Sequence, residues 1–405
     1  VNVDSDSSIS LVSASLSSPI DLEDGREVPK VLVDQSEALG IALDDLGSSL
    51  DTLRGDVESS QELFCDGRES RPVWVFRIPS TDPLGDFEVM VDGQSGKVVS
   101  RQDHLHYLVE GRGDCYPSNP LISESESHVL ANMDALDGLK GPYAKVINDD
   151  VEEASEEDGV YEYAIDNTHF DEVMVYYHLN VIHDYFNESQ GFDDLPCMRA
   201  TVHYGTNYDN AFYSMWTGGF AFGDGDKLND LAQEASVIYH EYTHAVTGSI
   251  VNLAYSAESG AMNEGYSDYF GCLLTDDYKL GEWAVNKMGK PFMRSLEEDV
   301  HYPEDIHDEV HHDGKIWGCT CWDLKKALGR RVASKIIHKS RYYLSYRATF
   351  IDGLRALIKS DEELFGGEHV ETIKEVAANR GLSFSSDEDV ENSTLRHREL
   401  YDTVR

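Results

Sequence analysis

The segment YHEYTH, residues 239–244, contains three side chains that together could activate a water molecule. His240 and His244 are four residues apart, and residues with that spacing lie on one face of an α-helix. Two imidazole rings on one face can bind the same zinc ion, while Glu241, turned by about 100° around the helix, is available as a general base. An ordinary surface helix can carry this pattern by chance, so further ligands are needed to support a zinc site.

The segment ESGAMNEGYSDYF, residues 258–270, offers the missing ligand. Zinc in hydrolases usually has three protein ligands and a fourth position for water. Glu264 begins a second predicted helix, and Asp268 lies four residues later on the same face. A carboxylate at that position can accept a hydrogen bond from a ligating imidazole and fix its orientation. The two segments together favour zinc over a chance pattern.

The elements around these motifs change in type along the chain. Residues 228–251 contain no proline and only one glycine near their end, which predicts a long helix. Upstream, 170–186 has the spacing of an amphipathic helix, 198–205 of a strand, and 210–226 of a strand or hairpin. Successive amphipathic helices are predicted from about residue 229 onward, so the chain passes from a β-rich to an α-rich part near the zinc motif.

The N-terminal hundred residues have a different character. Residues 1–27 are rich in Ser and Asp, and we expect them to be disordered or loosely attached. Residues 28–103 predict a small α+β module, with a helix in 34–47 and antiparallel strands at 73–78, 87–92 and 97–102. RGDCYPSNP at 112–120, with two Pro and two Gly nearby, indicates a boundary, and we predict a linker and processing region over 104–115.

The charge balance excludes several classes of partner. The 405 residues include 33 Lys and Arg against 76 Asp and Glu, a net charge of −43, which repels nucleic acid and anionic membranes. We interpret this as the solvated acidic shell of proteins from salt-rich environments, with calcium binding by some of the acids as the alternative. No apolar run reaches the roughly 18 residues of a membrane-spanning helix.

Cysteine and tryptophan residues receive structural interpretations. The six cysteines permit 15 pairings, and we expect most of them to be small buried residues. Trp216, Trp317 and Trp322 are expected in the core rather than in contact with a ligand.

Val1 begins a polar stretch without a signal-peptide pattern. A signal has been removed, the chain is incomplete at its start, or the protein is not secreted by that route.

HEYTHAVTG followed by ESGAMNEGYSDYFG resembles the zinc-dependent endopeptidases of the thermolysin and fungalysin type, the gluzincins. The resemblance spans about residues 105–405 and is closest to bacterial or archaeal fungalysin-like enzymes. Four further motifs are similar to those of the group: NAFY at 210–213, GDGD at 223–226, RSL at 294–296 and VHHDGKIW at 310–317. Residues 28–103 resemble the PepSY part of the propeptides of these enzymes.

The resemblance implies an α+β fold in which a PepSY-like propeptide module precedes a two-lobed catalytic unit. The β-rich lobe would cover 116–228 and the α-helical lobe 229–405, with the zinc helix between the lobes. It also implies a zymogen, in which 28–103 assists folding and inhibits the site until cleavage near 104–115. Secretion and a monomeric state are expected, with no nucleic-acid partner and no membrane span.

The resemblance assigns roles to individual residues. His240, His244 and Glu264 would bind one Zn²⁺, Glu241 would be the general base, and Asp268 would orient His240. Tyr255 and its partner His311 would stabilise the oxyanion. The substrate would be held by Asn210 and the Ala211 carbonyl as an added strand, by Arg294 at a carbonyl beyond the scissile bond, and by an apolar pocket lined by Val237 and Met293.

Two departures from the thermolysin pattern limit the calcium expectation. Ser236 and Thr275 stand where thermolysin has calcium-binding carboxylates, so we predict that the paired calcium site is absent. The choice of His311 over His312 rests on the VHxxG spacing, and the carboxylate partner of His311 is expected to be Asp305 or Asp308.

The function expected from this resemblance is a zinc-dependent endopeptidase acting on proteins or peptides. Three alternatives stay open at this point. The chain could hydrolyse small amides with the same zinc site, it could be a catalytically silent peptide-binding protein of the same fold, or its N-terminal module could inhibit other proteases.

Overall fold

The computed structural model describes residues 2–3, 9–11, 30–65, 70–104 and 108–384. The chain divides into two compact units, 1–107 and 108–405, which are described separately below. The predicted disordered segment, 1–27, lies mostly outside the described residues. The mixture of helices and sheets is that of the predicted α+β class.

The first unit is a helix packed on an antiparallel sheet. A short pair of strands, β1 (Asn2–Val3) and β2 (Ile9–Leu11), precedes the helix α1 (Gln35–Leu46). The sheet follows in the order β3-β4-β5-β6, with strands Glu58–Cys65, Ser70–Thr81, Leu84–Asp92 and Val98–Asp103.

The helix begins and ends at residues suited to those positions. The Asp34 side chain accepts a hydrogen bond of 2.9 Å from the backbone N–H of Glu37, and Gly47 ends the helix with φ 69°. Ala38 and Ala42 on one face of α1 pack with Phe76 and other apolar residues of the sheet. The strand β3 was not predicted, because ESSQELFC lacks the alternation of apolar and polar residues on which the other strands were recognised.

The second unit begins with two small sheets. Its strands are β7 (Val109–Cys115), β8 (Glu126–Met133), β9 (Ala144–Asn148), β10 (Val160–Tyr161), β11 (Met198–Val202), β12 (Ala211–Ser214) and β13 (Gly219–Phe222). They form a three-stranded sheet, β10-β7-β8, and a four-stranded sheet, β12-β13-β11-β9. The hairpin β12–β13 is antiparallel, whereas β11 runs parallel to β9 and β13.

Strand β7 differs from the expectation of a linker over 104–115. Gly111 and Gly113 suggested a flexible connection, but both lie within the strand, where they permit close packing. A Cβ atom on Gly113 would be only 2.5 Å from Cγ1 of Val173, and one on Gly111 would be 2.8 Å from Sδ of Met133. These glycines therefore allow neighbouring elements to approach, rather than making the backbone mobile.

Helices form the rest of the second unit. α2 (His169–Asp184) continues into a π-helical stretch, Tyr185–Gln190. The later elements are α3 (Ala235–Ile250), α4 (Ala257–Thr275), β14 (Lys279–Leu280), α5 (Glu282–Asn286), β15 (Arg294–Ser295), α6 (Val310–Leu328), α7 (Arg330–Ser340), α8 (Phe350–Phe365) and α9 (Val370–Asn379). The predicted zinc helix, hairpin and C-terminal helices are all present.

Glycines at the contact between α4 and α6 bring the site residues together. A Cβ atom on Gly314 would be 2.8 Å from Cβ of Glu264, and one on Gly265 would be 2.7 Å from the Gly314 carbonyl oxygen. Larger residues at either position would force the two helices apart. The first turn of α6, which carries His311, therefore lies beside Glu264 of α4 because both helices have glycine at their contact.

The expectations for cysteine and tryptophan are met in part. Among the described cysteines, Cys115, Cys272, Cys319 and Cys321 are buried and Cys197 is exposed, and all five are free thiols. Trp317 and Trp322 are in the core. The expectation for Trp216 was wrong, because this side chain lies in the turn between β12 and β13 and is 98% exposed.

None of the helices in the described ranges is both long enough and apolar enough to cross a lipid bilayer.

Candidate active site

A cleft of about 940 Å³ lies within the second unit, between β12, α3, α4 and the first turn of α6. Eleven of the twelve predicted site residues line it: Asn210, Ala211, Val237, His240, Glu241, His244, Tyr255, Glu264, Met293, Arg294 and His311. The twelfth, Asp268, is fully buried behind the cleft wall. The structure thus brings together residues that are up to a hundred positions apart in the sequence.

The three predicted ligands lie within reach of a single metal ion. Nε2 of His240 and Nε2 of His244 are 3.0 Å apart, and each is 3.4 Å from a carboxylate oxygen of Glu264. Ligand atoms at about 2.0–2.2 Å from tetrahedral zinc are separated from one another by about 3.3–3.6 Å. The observed triangle therefore fits zinc with little adjustment.

The surroundings of the two histidines give a second test of that fit. Oδ1 of Asp268 is 2.8 Å from Nδ1 of His240, and Oδ1 of Asn263 is 3.0 Å from Nδ1 of His244. In the neutral form that binds metals, with the proton on Nδ1, the Nε2 lone pairs of both imidazoles point toward the same space. Two lone pairs at 3.0 Å repel each other, and a cation between them removes that repulsion. The donor set therefore suits a metal ion.

Asn263 was missed by the sequence analysis, although it directly precedes Glu264. Its side-chain oxygen contacts Nδ1 of His244, and an oxygen of Asp268 likewise contacts Nδ1 of His240. The Asp268 contact is short but is not aligned as a hydrogen bond. The sequence did offer a signal for Asn263. The amide side chain of a residue next to a ligand on one helix can reach a second ligand on the neighbouring helix.

Glu264 is completely buried among positively polarised groups. The Tyr255 hydroxyl donates a hydrogen bond to Glu264 Oε1, and Nε2 of His311 is 3.6 Å from Oε2. Burial alone would raise the pKa of this carboxyl, but His244, His240 and Arg294 together hold it well below its usual range. Glu264 is therefore ionised, as a metal ligand must be.

Arg294 is engaged behind the metal-binding residues. Its Nε and Nη2 atoms each donate a hydrogen bond of 2.7 Å to the two carboxylate oxygens of Asp268. Burial would raise the pKa of Asp268, but the Arg294 charge and the contact with His240 lower it to about 2. Asp268 is thus a fixed anion shared between Arg294 and His240.

The partner of His311 is Glu309, not Asp305 or Asp308 as expected. Oε1 of Glu309 is 2.7 Å from Nδ1 of His311, and the same carboxylate accepts hydrogen bonds from the backbone N–H groups of His311 and His312. Glu309 is the N-cap of α6, with an extended backbone, and this turns its carboxylate back over the first helical turn. Asp305 instead accepts a hydrogen bond from the backbone N–H of His301.

The two positions tied to calcium carry hydroxyl groups with protein partners. Ser236 Oγ donates to Glu234 and accepts a hydrogen bond of 3.0 Å from the backbone N–H of Gly281. Thr275 Oγ1 donates to the backbone carbonyls of Gly271 and Cys272. Neither position offers a carboxylate oxygen.

A second group of ligand-type side chains, Asp171, His203, Asp224 and Asp230, lies elsewhere in this unit. Nδ1 of His203 is 2.8 Å from Asp224 Oδ1, and Nε2 is 2.8 Å from the Thr168 carbonyl oxygen. Burial would lower the pKa of His203, but the acceptors at both ring nitrogens raise it to about 9. Both ring nitrogens of His203 therefore already have protein partners.

Comparison with known proteins places this geometry in a family. The model of the fungalysin metallopeptidases matches residues 198–386, and the model of the thermolysin catalytic domain matches 126–248. The neutral protease NprE of Bacillus pumilus is 31% identical over 218 residues, which are 48% of this chain and 71% of that protein. The chain belongs to the thermolysin and fungalysin group of zinc metallopeptidases.

Longer relatives agree with this assignment. Bacillolysin of Bacillus subtilis (strain 168) is 26% identical over 377 residues, covering 82% of this chain and 70% of that protein. The solved precursor of protealysin from Serratia proteamaculans has a TM-score of 0.53 and 21% identity, covering 59% of this chain and 87% of that one. At that identity the likeness shows a shared fold. As a thermolysin-type metallopeptidase, the chain is a hydrolase whose cofactor is zinc.

Proposed function

We propose that this metallopeptidase is an endopeptidase that cleaves peptide bonds within proteins, with Glu241 as the general base on a water molecule at the His240, His244 and Glu264 site. One observation carries the proposal. The metal-binding triangle and Glu241 face the same open cleft as the edge strand β12. An open cleft beside a free strand edge admits an extended chain with residues on both sides of the cleaved bond.

Glu241 is the proposed base and is not one of the three metal-binding candidates. It follows His240 on α3, lines the cleft and is 6% exposed. Zinc, when bound, polarises the scissile carbonyl and lowers the pKa of its water to about 7. The Glu241 carboxylate then accepts the proton of the water and delivers it to the leaving amine nitrogen.

Tyr255 and His311 are the proposed hydrogen-bond donors to the oxygen that becomes negative. The Tyr255 hydroxyl is 3.4 Å from Nε2 of His311, and both side chains face the cleft. Partial burial and the nearby Glu264 charge raise the pKa of Tyr255 above its usual value, which keeps its proton available. A donor of this type contributes about 3 kcal/mol to lowering the barrier.

Substrate binding is assigned to β12 and to the pocket beside α3. β12 is the outer strand of its sheet, so a peptide can add to it as a further strand, held by Asn210 and the Ala211 carbonyl. Val237 and Met293 line the apolar pocket for the side chain after the scissile bond. Nε and Nη2 of Arg294 are occupied by Asp268, which leaves Nη1 to reach a substrate carbonyl.

We further propose that the first unit acts as a propeptide that assists folding and inhibits the site. Two observations support this: the first unit has its own core, and the boundary of the compact units falls between Tyr107 and Leu108. Because β7 belongs to a sheet of the second unit, cleavage is expected before Val109 and not within 109–115.

The test of the propeptide proposal is self-processing. The purified chain should convert to a product beginning before Val109, and the Glu241→Gln chain should stay intact. A wild-type chain that never cleaves itself, and is equally active after removal of residues 1–107 by an added protease, would contradict the proposal. Adding the released first unit to other proteases tests whether it inhibits them as well.

Secretion and a monomeric state are also proposed, on family membership. The acidic net charge of −43 favours a soluble particle that repels its own copies. Detection of the protein in the culture medium and its mass by light scattering test both points.

The experiment that tests the function combines metal analysis with a casein assay. We expect about one zinc per chain, casein hydrolysis that a chelator abolishes, and recovery on addition of zinc, measured across a salt series. A small blocked amide should be cleaved far more slowly than casein, which would separate an endopeptidase from a hydrolase of small amides. Peptide binding without hydrolysis at full zinc occupancy would instead identify a silent binding protein.

A further inference from the structure

Trp216 is the most exposed of the large apolar side chains in the described residues, and it lines the catalytic cleft. It lies in the turn that connects β12 to β13. The turn has a defined geometry, since Ser214 accepts a hydrogen bond of 2.9 Å from the backbone N–H of Gly218, and its Oγ accepts one from Thr217. Met215, half exposed, precedes the tryptophan in the same turn. A tryptophan in water at a cleft rim is available to a ligand.

The hairpin runs alongside the zinc helix, and its two ends lie at opposite ends of α3. At its start, Asn210 accepts a hydrogen bond from Gly223, whose carbonyl accepts one from Leu231, just before α3 begins. Near its tip, a Cβ atom on Gly248 would be 3.8 Å from Cε of Met215 and from Cε1 of Tyr213. The tip is therefore beside the C-terminal part of α3.

The apolar pocket lies toward the other end of the same helix. Val237 is in the first turn of α3, and the backbone N–H of Gly281 donates to Ser236 Oγ, which ties β14 to that turn. Met293 donates a backbone hydrogen bond of 2.9 Å to Leu280 of β14. His240 and His244 lie between Val237 and Gly248 along the helix. The pocket and the Trp216 turn thus flank the metal-binding residues.

We propose that Trp216 and Met215 form a binding subsite for an apolar side chain of the substrate on the N-terminal side of the scissile bond. This inference rests on the proposed function. If the pocket holds the residue after the bond, opposite Ala211, then the residues before the bond run along β12 toward its tip. An added antiparallel strand pairs one residue with one, so the third or fourth residue before the bond reaches Ser214 and Met215.

The subsite selects apolar side chains because of its own composition. Tyr213, Met215 and Trp216 present two aromatic rings and a thioether, and none of the three side chains is charged at neutral pH. An aromatic or long aliphatic side chain gains contact with the Trp216 ring, and an aspartate at the same substrate position gains nothing and meets the acidic protein surface. An aromatic pair of this kind changes binding by about 0.5–1.5 kcal/mol, which is about 2–13-fold.

The test uses three fluorogenic peptides with the same residues around the scissile bond. One begins at the residue before the bond, and two extend to the fourth residue before it, carrying either Phe or Asp at the third and fourth positions. The catalytically active protein is compared with Trp216→Ala, with Trp216→Phe and with Ile122→Ala, a control that removes an exposed apolar side chain of the same unit, 51% exposed. The value measured is kcat/KM for each peptide.

We expect wild type to prefer the Phe peptide over the Asp peptide, and Trp216→Ala to lose about 3–10-fold in kcat/KM on the Phe peptide, with less than about 2-fold change on the short one. Trp216→Phe should retain most of the preference, and Ile122→Ala all of it. An unchanged Phe-to-Asp ratio in Trp216→Ala overturns the subsite while leaving the proposed function intact. A wild type that cleaves none of the three peptides overturns the proposed function itself, and this inference with it.

Discussion

The carboxylate of Asp268 is held by Arg294 through two hydrogen bonds of 2.7 Å, while one of its oxygens also lies 2.8 Å from Nδ1 of His240. One buried anion therefore links the guanidinium to the imidazole. Two parallel N–H donors fix the carboxylate plane as well as its position. We therefore expect the orientation of His240, a candidate metal ligand, to depend on Arg294.

Replacing Arg294 with Lys should weaken zinc binding. Lysine keeps the charge but cannot donate two parallel hydrogen bonds, so Asp268 and with it His240 lose their fixed orientation. Partners of this kind typically change metal affinity by about 10–100-fold, and we expect about 10-fold for Arg294→Lys and up to 100-fold for Asp268→Asn. Competition with a zinc-binding dye measures the affinity directly.

The control for this prediction is Lys315→Arg, which alters a cation of the same unit that pairs with Glu298 instead. Its zinc affinity should equal that of wild type. Equal zinc affinity in Arg294→Lys and wild type would show that the paired hydrogen bonds do not orient the ligand.

Replacing Glu309 with Gln should lower kcat with little change in KM. The Glu309 carboxylate is 2.7 Å from His311 Nδ1, so it stabilises the ring as a donor toward the cleft. Its loss should reduce kcat about 10-fold, since part of one donor's contribution of about 3 kcal/mol is removed. Asp305→Asn and Asp308→Asn are matched controls with wild-type kcat, and a loss in either of them equal to that of Glu309→Gln would contradict the assignment.

The contrast between Asp268 and Glu309 shows what sequence could and could not predict about the site. Helical spacing predicted that His240 and His244 share a face of one helix, and that Glu264 and Asp268 share a face of another. The pairing of Asp268 with His240 was implied by the family resemblance. The carboxylate partner of His311 could not be predicted in this way, because several carboxylates lie close to His311 in the sequence. Which of them reaches the ring depends on where α6 begins, and Glu309 is the N-cap of that helix.

The fold shows the same division between local and tertiary signals. Helices α1 and α2 were predicted from apolar spacing, and α3 from a long run without proline that has its only glycine near its end. The hairpin segment was predicted as a strand or hairpin. Trp216 was misplaced because the register of the hairpin decides which residues fall in its turn, and apolar character does not reveal this. In β7, the glycines allow close packing against Val173 and Met133. These two residues belong to other elements, so the sequence of the strand itself does not reveal the requirement.

Calcium should not stabilise this protein more than magnesium does. Ser236 and Thr275 carry hydroxyl groups that already bond to protein atoms. A calcium site filled at 100 times its Kd would add about 2.7 kcal/mol to the free energy of unfolding. Both ions screen the acidic surface, so the readout is the difference in Tm between equal concentrations of the two chlorides, with zinc present. We expect less than about 1 °C, and a calcium-specific rise of several degrees would contradict the predicted absence.

Glu234 should make the free energy of unfolding fall as the pH rises from about 4.5 to about 7. Burial is the main cause that raises the pKa of this carboxyl from 4.5 to about 7, against hydrogen bonds from Ser236, Trp283 and Asn119. The folded state therefore binds the proton more tightly than the unfolded state, and the ionisation cost grows through this window, to about 3 kcal/mol at most.

The measurement compares Glu234→Gln with its parent, both carrying Glu241→Gln to prevent self-digestion. A neutral side chain has no ionisation cost, so the stability of Glu234→Gln relative to the parent should improve between pH 5 and pH 8. Glu282→Gln, a change in the nearby carboxylate, should shift this window only slightly. A pH-independent difference between Glu234→Gln and its parent would show that Glu234 has an ordinary pKa.

Replacing Glu241 with Gln is the most direct test of the central claim, that this chain hydrolyses peptide bonds with Glu241 as the base. The side chain keeps its size and lies outside the metal-binding triangle, so zinc content should stay at about one per chain. A positioned base contributes about 10²–10⁴-fold, and casein hydrolysis should fall by at least about 10²-fold. Unchanged hydrolysis by Glu241→Gln at full zinc occupancy would contradict the account.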